Sequence, residues 1–180
     1  MNGTRFQLIV PSRPARDAAL AFLTGLEPDY AGAMTPALAE LRDASDDNVA
    51  IAFEDGGLLQ SLDAWGNTLL PVMYHAAQEA AQAERRARGV LAALGRKPME
   101  FAGQPGSSLS LYERRLLGFV RAMLVEPQLL VLDRLFEDLG REERAGITAC
   151  VDLFAMRYPL RRMLYVGFSE VNLPEFEVMQ

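Results

Sequence analysis

"LSLYERRLLGFVRAMLVEPQLLVLDR", residues 109–134, is the stretch on which the fold turns. Its first half reads as a helix from about Ser110 to Val125, stopped at Glu126-Pro127 because a residue before proline is pushed out of the helical region. Leu129 to Leu132 then set four aliphatic residues in a row, without polar alternation. A strand of that kind is buried on both faces, as in a parallel sheet. Asp133 closes it, at the end of the strand where open α/β sheets meet ligands and metals. Arg134 follows, a fixed positive charge. Asp133 is thus either a working metal ligand or what remains of one.

Outward from this stretch, strand and helix alternate. "RFQLIV" (5–10) reads as a strand, "PSRPARD" (11–17) as a turn, and "AALAFLTGL" (18–26) as a helix. "NVAIAF" (48–53) is a second strand and leads into the glycine-containing loop "EDGGLLQSLDAW". A mostly helical block follows, closed by Gly95. Ser108 is expected to cap the helix that starts near Ser110. A helix from about Arg141 to Arg157 carries Ile147, Val151 and Phe154 as a buried stripe, and "RRMLYVGF" (161–168) is a further strand. The tail beyond Asn172 has no clear pattern. These elements predict a single α/β domain with a mostly parallel sheet flanked by helices. The core falls at 1–64 and 101–180, with a helical subdomain inserted at about 65–100.

Composition narrows the function. A chain of 180 residues, half of them apolar, buries a proper core. A net charge of −6 argues against nucleic acid, whose phosphates need clustered Lys and Arg. The pairs Arg85/Arg86, Arg114/Arg115 and Arg161/Arg162 are isolated and read as solvated helix faces. The lone Cys150 lies in an apolar helical stretch and reads as a buried, inert thiol. His75 has no second ligand at metal spacing. No segment is long and apolar enough to insert in a membrane, and the N-terminus lacks a signal peptide's apolar core.

Three stretches in order resemble the nucleotide-binding domain of an ABC transporter: "VPSRPARDA" between strand and helix, "FEDGGLLQSLDAWGNTLLP", and the 109–133 segment. The resemblance extends to nearly the whole chain and implies a P-loop NTPase-like fold. The closest flavour is the ATPase of MCE/Mla-type lipid-transport systems, whose loop pattern is kept by Phe53, Asp55, Gly56, Leu58, Ser61, Leu62, Trp65, Asn67 and Pro71. That family's N-terminal antiparallel β-subdomain has no counterpart in these residues.

The chemistry of the family is not kept. A P-loop, G-x-x-x-x-G-K-[ST], cradles phosphates on backbone amides, with Lys on the outer phosphates and a hydroxyl on magnesium. Here the matching run is Val10 to Asp17: Ser12, Arg13 and Pro14 lie in the loop, Ala15 replaces the second glycine, Arg16 the lysine and Asp17 the hydroxyl. It reads as a plain strand-to-helix turn. The signature loop keeps Ser110, but Leu111 and Tyr112 replace its glycines and fill space that phosphate would use. Asp133 matches the Walker B aspartate, Arg134 stands at the catalytic glutamate, Glu54 at the Q-loop glutamine, Gly140 at the D-loop aspartate and Phe168 at the switch histidine. Arg114, Arg115, Arg121 and Ala122 follow the family and support packing. Asp133 is then a structural remnant, paired with Arg134, Arg13 or Arg16.

The resemblance implies a non-catalytic, cytoplasmic pseudo-ATPase with no resident cofactor, peripheral at the inner membrane. Its partner would be an ABC permease, an intact ATPase subunit or a second copy. Leu58, Leu59, Leu62 and Trp65, in the loop beside Gly56 and Gly57, are the candidate partner contacts. The alternative is a subunit that still binds ATP and magnesium weakly in a mixed dimer. A small-ligand site at Arg13, Arg16 and Asp133 is a third option.

Overall fold

The computed structural model describes residues 4–27, 35–75, 80–173 and 175–179. The elements are β1 (Arg5–Ile9), α1 (Arg13–Leu23), α2 (Thr35–Asp43), β2 (Val49–Ala52), α3 (Ala64–His75), α4 (Ala80–Ala93), α5 (Leu111–Leu124), β3 (Leu129–Asp133), α6 (Arg141–Arg157), β4 (Arg162–Gly167) and β5 (Glu177–Val178). They form an α/β fold in which helices flank a five-stranded sheet of order β2-β3-β4-β1-β5. The pairs β3–β4, β4–β1 and β1–β5 are parallel. All five residues of β3 are buried, as its unbroken aliphatic run requires.

The chain divides into two compact units. The first comprises Met1–Ile51, Pro127–Arg134 and Leu160–Gln180. Its core sets Phe6, Leu8 and Val10 with Leu129, Val131, Leu164 and Val166 from the sheet. Ala19, Leu20, Phe22 and Leu23 of α1 and Leu38 and Leu41 of α2 pack on them. The second unit comprises Ala52–Glu126 and Leu135–Pro159, and the 65–100 block lies inside it. Here α5 is the central element, its residues Leu116 to Val120 buried, with α3, α4 and α6 against it.

Several local expectations need correction. "PSRPARD" is mostly helix: α1 begins at Arg13. Pro14 falls in the first turn, where its missing N–H costs nothing and its fixed φ suits the helix. The cap of α5 is Ser110 rather than Ser108. Its hydroxyl accepts from the Glu113 N–H, and the Glu113 carboxylate accepts from the Ser110 N–H at 2.9 Å, a reciprocal capping box. Ser108 instead closes the short 3-10 turn Gly106–Ser108. Trp65 is not in a loop but is the second residue of α3. Helix α2 and the edge strand β5 were not legible in the sequence. The His75 side chain and residues 76–79 of the helical block lie outside the described residues.

Candidate functional site

At the C-terminal end of the sheet in the first unit, β1 delivers Val10, and Ser12 opens α1. Ser12 takes extended backbone (φ −161°, ψ 165°) and its hydroxyl accepts from the Ala15 N–H at 3.4 Å. Arg13 and Asp17 lie on the exposed side of the first turns. Arg16 points inward and is 9% exposed. Its Nε and Nη2 both donate to Asp17 Oδ1, at 2.9 and 2.7 Å. Its Nη1 lies 3.5 Å from Oδ1 of Asp133, whose side chain is 1% exposed. Arg16, one of the three arginines expected near Asp133, thus faces it from a buried position. Arg16 lies one turn into α1 on the face it shares with Ala19, Leu20 and Leu23, whereas Arg13, the first residue of the helix, is exposed.

Arg134 has a partner of its own. Its N–H donates to the Val166 carbonyl at 2.9 Å, and its guanidinium carbon lies 4.4 Å from the centroid of the Phe168 ring. Thus the positions that the family resemblance assigns to the catalytic glutamate and the switch histidine meet in space, and what meets there is an arginine stacked on a phenylalanine. That stack is a cation–π contact. Neither side chain is a proton acceptor at neutral pH.

The loop after β2 is built in the second unit. Gly56 and Gly57 take φ of +83° and +58°, which side chains resist. A Cβ on Gly56 would run into the Arg114 carbonyl, and one on Gly118 of α5 would lie 2.7 Å from the Gly56 oxygen. This close backbone approach seats the loop on α5. Arg121 then donates to the Gly57 and Gly56 carbonyls at 2.7 and 3.0 Å. Its burial lowers its pKa below the usual arginine value, with the Asp55 carboxylate acting against that shift. Arg115 is 3% exposed, so the solvated-face expectation fails for it. It donates to the Glu54 carbonyl at 2.5 Å, and to the carbonyls of Leu135 and Glu137. A guanidinium has five donors in a fixed fork and no need of a carboxylate to be satisfied. Arg115 thereby ties the Glu54 segment to the segment after β3.

Asn67 does comparable work one turn into α3. Fully buried, it accepts from the Leu59 N–H at 2.6 Å and donates to the carbonyls of Leu59, Leu62 and Asp63 at 2.9, 3.1 and 3.0 Å. Sequence reasoning placed Asn67 in the loop pattern without assigning it a role. The signal was its position among residues with few other ways to hold a turn of 59–63. The four candidate contact residues separate here. Leu58 and Leu59 line a cavity of about 370 Å³ with Asp55, Gln60, Gly106, Ser107 and Arg114. Trp65 lies beneath Arg88 of α4, 5.3 Å from ring centroid to guanidinium carbon, and Leu62 is half-buried; neither lines that cavity. Tyr112 is half-buried against the helical unit itself. A Cβ on Gly146 of α6 would collide with its ring, and the Arg96 guanidinium carbon lies 5.9 Å from its centroid.

The fold of this chain is matched by solved structures. The dimeric, ADP- and Pi-bound post-hydrolysis cassette MJ0796 covers 96% of this chain and 78% of its own length at a TM-score of 0.67 and 16% identity. The fold is that of an ATP-binding cassette. The cassette cbiO1 of Clostridium perfringens, part of the ABC transporter complex cbiONQ, covers 97% of this chain and 71% of its own length at a TM-score of 0.64 and 15% identity. In sequence, the chain resembles the sulfate/thiosulfate import ATP-binding protein CysA of Photorhabdus laumondii. The two are 29% identical over an alignment of 159 residues that covers 79% of this chain and 40% of that protein. The chain therefore spans less than half the length of this relative. No protein-family model matches the chain. Among its described residues no helix is long and apolar enough to cross a membrane.

Proposed function

We propose that this cassette is a non-catalytic ABC ATPase-like subunit, a scaffold or regulator within an ABC-type transport system of the MCE/Mla lipid-handling kind. The observation that carries this reading is the pairing of the site's charges with one another. Arg16, where a P-loop lysine would reach phosphate, is buried and bound to Asp133 and Asp17. Asp133, where a magnesium-binding aspartate would stand, faces that guanidinium. Phosphoryl transfer depends on positioning and charge stabilisation by a metal, a cation and a water-orienting group. On this reading Mg-ATP does not fit residues so arranged, and no step is routed through it.

The partner follows from the same reading. The dimeric and complex-borne state of the similar cassettes supports an ABC permease, an intact ATPase subunit or a second copy as the partner. Such a partner would hold the chain on the cytoplasmic face of the inner membrane. The lipid-handling assignment rests on the loop pattern from Phe53 to Pro71. Leu58 and Leu59, beside the cavity, are the contact residues the geometry favours, and Trp65 and Leu62 serve the packing of α3.

Thermal unfolding with increasing Mg-ATP tests the proposal. A ligand with Kd near 0.1 mM, present at 1 mM, stabilises by about 1.4 kcal/mol and raises Tm by about 3–5 °C. The expected result is no saturable rise up to 1 mM. A clear shift below that concentration establishes instead the nucleotide-binding subunit of a mixed dimer.

A further inference from the structure

The register Asp133↔Val166 sets the ends of β3 and β4 side by side, so that Arg134 leaves one strand beside the residues that leave the other. Arg134 adopts the left-handed region, with φ at 49°. An arginine stays there only when its surroundings over-determine it. Both ends of the residue are held: the N–H by the Val166 carbonyl at 2.9 Å, the guanidinium by the Phe168 ring at 4.4 Å. Phe168 is itself anchored, packed against the core cluster of β1, α1 and α2. Asp133, the residue before Arg134, is almost wholly shielded from water.

We propose that the Arg134–Phe168 stack is a built-in clasp, an internal contact that holds the segments leaving β3 and β4 in a single conformation without any ligand. The proposal rests on the non-catalytic reading, and it adds regulation: a cassette clasped in this way presents one state to its partner whether or not nucleotide is present. The stack needs only two side chains, and its charge does not depend on pH near neutrality, unlike that of a histidine.

Solution NMR on the whole chain tests the clasp. In the wild type the Arg134 δ and ε protons should be shifted upfield by the ring current of Phe168. Phe168→Ala should abolish that shift and raise hydrogen exchange of the Arg134 amide and of amides 168–172 by about 2- to 10-fold, the range expected from a cation–π contact. Phe168→Trp should keep both. Arg134→Gln keeps the ring in the core while removing the charge, and should match Phe168→Ala in exchange, so the test survives if the alanine variant does not fold. Unshifted Arg134 resonances in the wild type, or unchanged exchange in Arg134→Gln, overturn the clasp. Addition of 1 mM Mg-ATP should leave all these resonances in place. Their saturable displacement by nucleotide would overturn the non-catalytic reading, while the variant data would still decide the clasp.

Discussion

Replacing Arg16 with methionine should be among the most damaging single changes in the first unit. The substitution keeps an unbranched side chain of similar reach, so lost packing is small, and what disappears is the charge. Asp133 is then left with 1% of its side chain exposed and without the Arg16 guanidinium now 3.5 Å away. At an effective dielectric constant of about 20, a pair at that separation attracts by roughly 5 kcal/mol, much of it offset by taking both ions from water. Removing one partner forfeits the attraction but keeps the other's desolvation cost, and breaking a buried pair this way costs about 3–5 kcal/mol. That is a large share of the roughly 5–15 kcal/mol by which a domain is typically stable.

The double-mutant cycle with Asp133→Asn gives the decisive number. Asp133→Asn alone should cost about 1–2 kcal/mol, since Arg16 keeps its contacts with Asp17. The double variant should be less destabilised than the two singles together by about 1–3 kcal/mol. Asp17→Asn serves as a control: its carboxylate is 56% exposed, and solvent screening limits its loss to below about 1 kcal/mol. Urea unfolding followed by circular dichroism measures all four, with equal m-values as the condition for comparison. An Arg16→Met cost under about 1 kcal/mol, or strict additivity with Asp133→Asn, would refute the claim that these residues hold one another.

Three further expectations concern the second unit. Gly56→Ala combines a left-handed φ with a collision at the Arg114 carbonyl and should cost at least about 2–4 kcal/mol. Gly95→Ala, at φ +70° with open space around it, should cost only about 1–2 kcal/mol; equal losses in the two melts would argue that the loop is not seated on α5 as described. Asn67→Ala leaves the Leu59 N–H without its side-chain acceptor and removes the side-chain donor to the Leu59, Leu62 and Asp63 carbonyls, of which Leu59 and Asp63 keep a backbone donor, so a loss of about 1–3 kcal/mol and faster exchange of the Leu59 amide are expected. Burial pushes the Cys150 thiol up from 9.0 to about 12. The folded chain holds that proton where the unfolded chain releases it, so this contribution is complete below about pH 9 and is lost as pH rises towards about 12. Its full extent is at most about 4 kcal/mol, and urea melts from about pH 8.5 to 11 should show a steeper decline in the wild type than in Cys150→Ala.

What the sequence could convey depended on whether a feature is local. Leu129–Asp133 and Arg141–Arg157 were legible because hydrophobic continuity and a proline stop act within a few residues. The start of α1 was misplaced because a proline can open a helix as well as bar one, and only the Ser12 cap decides which. The site was half legible. Motif spacing pointed to the residues around Asp133, but that Arg16 lies 3.5 Å from it while Arg13 is exposed follows from how deeply each turn of α1 is buried. Arg115 illustrates the same limit from the other side. Beside Arg114 it reads as a surface charge, because a solvated arginine and one sunk among carbonyls look alike in sequence.

The separate settings of Arg16 and Arg134 also bear on the proposed lack of hydrolysis. A lysine-to-arginine change at position 16 would by itself leave a cation near any phosphate. It is the neighbouring Asp17, accepting two bonds from the same guanidinium, that draws the charge off and fixes its direction. Arg134, the residue after Asp133, sets its guanidinium over the Phe168 ring. Each cation thus has a contact of its own within the first unit, and the local choices support one another. Restoring a single family residue, such as Arg134→Glu, should therefore give no hydrolysis. It would set a second carboxylate beside Asp133 and release Phe168, and its expected signature is lower stability with phosphate release from Mg-ATP unchanged from background. Measurable turnover in that variant would show that the remaining groups are less firmly paired than their geometry implies.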